Sequence, residues 1–185
     1  LMQTRNTIFN WPALVALAVA CALLAFLPAS WAYEAGPAAD DGNEVSNTAV
    51  GHSAGSNQST NNTSTTYIGT GAGISADGLQ NTALGMNSGQ VVTGAQNTAV
   101  GPLSGTDVIG NRNTSAGFGS GRGVEGRSNT AVGEDAGRDV VGDYNFAASS
   151  RAGQNVTGDH NVALGTEAGD LVGGSSNVAV GADAG

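Results

Sequence analysis

A sixteen-residue period governs this chain from Asn47 onward. "NTAVGPLSGTDVIGNR" at 97–112 is followed by "NTSAGFGSGRGVEGRS" at 113–128 and "NTAVGEDAGRDVVGDY" at 129–144. Units begin at Asn47, Thr65, Asn81, Asn97, Asn113, Asn129, Asn145, Asn161 and Asn177. Every step is sixteen residues except the first, which is eighteen and carries its extra pair in the polar run "SNQSTNNTS". Self-similarity at a fixed period means stacked units, each able to bury its apolar side only against its neighbours.

The period is not helical. Position nine is Gly in all nine units, position five in eight with Ser149 the exception, and position fourteen in the seven complete sixteen-residue units. Three glycines per unit would each cost a helix about 1 kcal/mol. Glycine at fixed intervals instead marks corners, where the backbone needs positive φ or close approach. The unit then reads strand, corner, strand, corner, with two strands of about five residues. Strands stacked on their own copies lie ~4.8 Å apart, so nine coils make a rod ~40 Å long. The fold class is all-β, a parallel β-solenoid of nine coils.

Alternate residues of a strand share a face. Position four carries Val50, Ile68, Leu84, Val100, Ala116, Val132, Ala148, Leu164 and Val180, never a polar group, and is expected to form the core. Position two is Thr in six units and then Phe146, Val162 and Val178, so it is expected on the same inward side. Position twelve, Val92, Val108, Val124, Val140, Val156 and Val172 with Ala76 as the small substitute, supplies the second inward column. Position eight is always Ala or Ser, which suits the inside of a tight corner. Positions one and three then point outward. Position three is Ala49, Ala83, Ala99, Ala131, Ala147, Ala163 and Ala179, interrupted by Tyr67 and Ser115; an outward alanine column suits close packing by another backbone. Position one places Asn81, Asn97, Asn113, Asn129, Asn145, Asn161 and Asn177 in a column, where stacked amides can hydrogen-bond along the rod.

Residues 1–32 stand apart. Arg5 precedes fifteen apolar residues, Ala13 to Leu27, then Pro28 and the small residues Ser30 and Ala32 before Tyr33. This is the layout of a secretory signal peptide with an apolar helix, and the run is short for a membrane span, which takes about 20 residues. Cys21, the only cysteine, lies within it as an ordinary apolar residue. Residues 33–46, "YEAGPAADDGNEVS", read as an acidic linker.

The recurring "NTAVG", "NTALG", "NVALG" and "NVAVG" resemble the inner-strand motif of YadA-like trimeric autotransporter adhesin heads, in a sixteen-residue variant. The resemblance covers residues 47–185. It implies a left-handed β-roll, a homotrimer and a cell-surface adhesive head linked to virulence, with the alanine column at position three as the trimer face. Such adhesins reach the outer membrane through a downstream stalk and barrel, so membrane attachment would be through an anchor outside this sequence, and the chain is expected to be truncated at its C-terminus.

The remaining chemistry is sparse. A net charge of −9, with six arginines and no lysine, repels nucleic-acid phosphate. His52 and His160 fall at variable turn positions, and no Cys/His cluster exists. Asp135, Asp139 and Asp143 resemble the spacing of calcium-binding rolls without their glycine-rich nonapeptide. "GFGSGRG" lacks the Lys and helix of a phosphate loop. No nucleophile, base and orienter can be named together, so neither an enzyme nor a cofactor is expected. Arg112, Arg122, Arg127 and Arg138 fall in adjacent units and read as charge balance, a positive stripe being the sharper alternative. The expected function is an adhesive head binding host or matrix surfaces through variable turn residues. One alternative is an ice- or crystal-binding Thr ladder, which requires the Thr column to face outward. The other is a particle-fibre segment.

Overall fold

In a computed structural model, residues 47–58 and 62–185 are described. The signal segment 1–32 and the linker 33–46 lie outside the described residues. The described chain is all-β: nine three-residue strands, one per coil, form a single parallel sheet in sequence order. They are β1 (Thr48–Val50), β2 (Thr66–Ile68), β3 (Thr82–Leu84), β4 (Thr98–Val100), β5 (Thr114–Ala116), β6 (Thr130–Val132), β7 (Phe146–Ala148), β8 (Val162–Leu164) and β9 (Val178–Val180). Each residue pairs with the same position one coil away, as Thr98↔Thr114, Ala99↔Ser115 and Val100↔Ala116. The eighteen-residue first step does not disturb this register, since Thr48 still pairs with Thr66. The chain is therefore a parallel β-solenoid. The second strand expected in each coil shrinks to one bridged residue at position thirteen, in the series Asp77, Thr93, Ile109, Glu125, Val141, Thr157 and Gly173.

Backbone hydrogen bonds run between coils around the whole perimeter. In the coil from Asn97, Gly101 N donates to Leu84 O, Leu103 N to Met86 O and Asp107 N to Gln90 O, all one coil back. Thr98 N, Gly105 N and Ile109 N donate one coil forward, to Asn113 O, Ser120 O and Val124 O. Peptide groups in corners as well as strands are thus satisfied by stacking.

The inside and outside of the main strand are the reverse of the sequence expectation. Position three is buried: Ala83, Ala99, Ala131, Ala147, Ala163 and Ala179 are at most 7 % exposed. Ala49, in the first coil, packs half-buried against the same core. These alanines line the core and are not an outer, trimer-forming face. Position four faces out: Ile68, Leu84, Val100, Val132, Leu164 and Val180 are 37–62 % exposed, and Val50 is half-buried. None of these seven is a core residue. The reason is the narrow gap between the two layers of each coil. A Cβ added to Gly89 would sit 2.7 Å from Ala83 Cβ, and one added to Gly105 would sit 2.8 Å from Ala99 Cβ. Glycine at position nine lies directly against position three, and in the coils that carry Val at position twelve a Val or Leu has no room there. Position twelve does fill the interior: Val92, Val108, Val124, Val140 and Val156 are buried, with Val172 half-buried beside them.

Position one is also interior: Asn81, Asn97, Asn113, Asn129, Asn145 and Asn161 are 3–7 % exposed. Their amides replace backbone partners at the corner. Asn97 Nδ2 donates to Gly110 O at 2.8 Å, and Asn97 Oδ1 accepts the backbone N–H of Asn113 at 2.9 Å. The column is closed at its start by substitution. Thr65 donates its N–H and hydroxyl to Asn47 Oδ1, while Asn62, in the longer first unit, takes Gly78 N–H and donates to Ala76 O. In the next coil, from Thr65, Tyr67 fills position three where others place Ala or Ser, its ring against Gly73, and position twelve there is the small Ala76. The Tyr67 hydroxyl is buried beside Thr65 without a well-formed hydrogen bond.

Candidate functional site: the outward sheet face

Because the strands are in register, outward positions two and four form two parallel columns, one rung (~4.8 Å) apart along the rod and a two-residue step (~6.7 Å) apart across it. The columns hold no Asp, Glu, Lys or Arg in any coil. One is Thr48, Thr66, Thr82, Thr98, Thr114 and Thr130, continued by Phe146, Val162 and Val178; the other is the aliphatic position-four series. All six threonines are half-buried or exposed. The Thr column therefore meets the orientation that a lattice-binding surface requires.

Charge sits on the corners instead. Arg127 Nε lies 2.8 Å from Asp143 Oδ2 one coil on, Arg138 pairs with Asp139 at 3.2 Å, and Arg151 pairs with Glu167. The backbone N–H of Arg127 and then its guanidinium hold the Asp143 carboxyl below the usual carboxylate range, while Asp143 raises Arg127. These groups are solvated, so the pairs fix corner geometry more than they stabilise the fold. Asp143 also belongs to a short ladder at position fifteen: Asp143 Oδ1 accepts Arg127 N–H, and Asp159 Oδ1 accepts Asp143 N–H. At position sixteen Tyr144 stacks on His160, with ring centroids 5.1 Å apart, and Arg112 Nε donates to Gln96 Oε1. The four clustered arginines are not gathered into one stripe: Arg122 and Arg138 fall at position ten, Arg112 and Arg127 at the next corner.

The three aspartates considered for calcium fall at positions seven, eleven and fifteen, in separate turns. Among the described residues no group of three His, Cys, Asp or Glu could hold a metal ion. The bore along the later coils encloses about 30 Å³, far below the ~300–1,000 Å³ of a ligand pocket, whereas a more open hollow of about 390 Å³ lies at the last coil among Leu171, Val172, Val178 and Gly185.

Sequence reasoning missed the outward apolar face and a second regularity. Positions seven, eleven and sixteen are left-handed even where they are not Gly: Leu103 has φ 58°, Asp107 56° and Arg112 61°. Gly, Asn and Asp recur at seven and eleven, and that enrichment was the available signal.

Comparison with family models, curated proteins and solved structures finds no match to this chain.

Proposed function

We propose that this chain is the exported, adhesive head of a surface adhesin, a left-handed β-roll that associates as a homotrimer and presents variable corner residues to host or matrix surfaces. One observation carries the reading: in a chain of net charge −9 the rod keeps one full-length sheet face free of charge and lined by Thr, Val, Leu, Ile, Phe and Ala. Exposed apolar surface of that extent marks an interaction site. Ten Val, Leu, Ile or Phe side chains, seven at position four and three at position two, at roughly 40–50 Å² apiece give ~450 Å² per chain, about half of one partner's share of a stable interface before the six threonines are counted. The buried alanines leave positions two and four as the trimer face. The corners, with His52, Met86, Phe118, Glu134 and Arg151 at varied sites, remain for recognition. Sedimentation equilibrium of the purified chain should give three times the mass of one chain, and immobilised matrix proteins or host cells should retain it. A monomer at all concentrations, or no retention on any such surface, would overturn the corresponding half of the reading.

The outward Thr column supports a second reading, binding to an ordered lattice such as ice. There the face must stay open, and a monomer should depress the freezing point of its solution below its melting point. Trimeric material with no thermal hysteresis excludes it.

A further inference from the structure

The outward face changes along the rod. Six coils place Thr at position two, and the coils of β7, β8 and β9 place Phe146, Val162 and Val178 there. The interior gives no reason for the change, because position two points away from it: Phe146 is 41 % exposed, flanked in register by Thr130 and Val162. Two residues further along the same strand, on the same face, stands Ala148, where seven of the other eight coils carry Val, Leu or Ile and that of β5 carries Ala116. A large ring is thus matched to a small neighbour, as in a surface shaped to pack. Replacing a solvated hydroxyl by phenyl or isopropyl is favourable only where water is then excluded.

The occupant that fits is a second copy of this chain. Each copy carries net charge −9, so two copies approach at least cost where both are uncharged, and this face is free of ionic groups. We infer that the self-association proposed above, on which this point rests, is zoned: the coils of β7–β9 hold the copies together through Phe146, Val162 and Val178, and the Thr-bearing coils close against each other more weakly.

The test uses the full chain, where any association through residues 13–27 is common to every variant. The triple variant Phe146→Thr/Val162→Thr/Val178→Thr gives these coils the residue that six others already carry, so its circular dichroism should match wild type. Its dissociation constant by sedimentation should rise about a hundredfold or more, as three apolar anchors are lost from every copy. The reverse variant, Thr66→Val/Thr82→Val/Thr98→Val, should associate more tightly than wild type. A triple Thr variant that is folded and associates as tightly as wild type overturns the zoning while leaving self-association intact. Wild type and variant that are both monomeric at every concentration overturn the association itself.

Discussion

The backbone N–H of Asn145 donates to Oδ1 of Asn129 at 2.9 Å, and the side-chain amide of Asn145 reaches the same oxygen at 3.1 Å. Asn129 in turn donates from Nδ2 to Gly142 O at 2.8 Å. One buried amide thus satisfies a peptide N–H in the next coil and a carbonyl at the corner of its own.

Asn129→Ala should therefore destabilise the rod by about 1–3 kcal/mol, because it strands a buried N–H together with a half-buried C=O. Urea unfolding followed by circular dichroism measures this. A loss within ~0.5 kcal/mol, the range of an ordinary surface substitution, would contradict the interior placement of the ladder.

Ala131 and Val132 are adjacent but face opposite ways. A Cβ on Gly137 would lie 2.7 Å from Ala131 Cβ, so Ala131→Val should cost about 1–3 kcal/mol by overpacking. Val132→Thr, on the half-exposed side, should leave the stability of an isolated chain within about 0.5 kcal/mol. Chemical denaturation at low protein concentration compares the two; a larger cost for the Val132 change would restore the opposite facing.

Burial pushes the Tyr67 phenol from 10.0 up to about 12. A raised folded-state value means that the neutral form is favoured by folding. The stability is fully present below pH ~10 and is lost as pH climbs through ~12, by about 2–3 kcal/mol in all. Tyr67→Phe should abolish that alkaline loss. At neutral pH it should be neutral or stabilising by up to ~1 kcal/mol, since it removes a buried hydroxyl without a well-formed hydrogen bond. Denaturant midpoints across pH 8–12 would show the two curves diverging above pH 10.

Ser149 occupies the glycine position five with φ 110°, in a region that side chains avoid. Its backbone still keeps the coil-to-coil bond to Val132 O at 2.8 Å. Ser149→Gly should relieve the strain and stabilise by about 1 kcal/mol. Thermal unfolding that shows no gain would mean the hydroxyl, which lies 3.4 Å from Thr166 Oγ1, compensates.

The repeat made the architecture legible. The period fixed coil count and register, and the glycine positions marked the corners. Facing was harder. Alternation says that positions two and four share a side and that one and three share the other, but not which side is inward. Hydrophobicity pointed to Val132 over Ala131, because Val is the more apolar. Volume decided the matter: a bore closed by Gly137 on one side and Ala136 on the other admits only a methyl group. The clue lay in small residues recurring at three, eight and nine together. The outward face is not legible as a site, because apolar residues in strand alternation read as core whichever side they face.

Identical register between successive coils also makes length a free variable. Excising any complete sixteen-residue unit would bring together two cut surfaces that already match, Asn to Asn and Gly to Gly, and duplicating one would insert a rung between equally willing partners. A gene built of such near-identical segments can lengthen or shorten its product by recombination in steps of ~4.8 Å, altering reach while every cross-section stays the same.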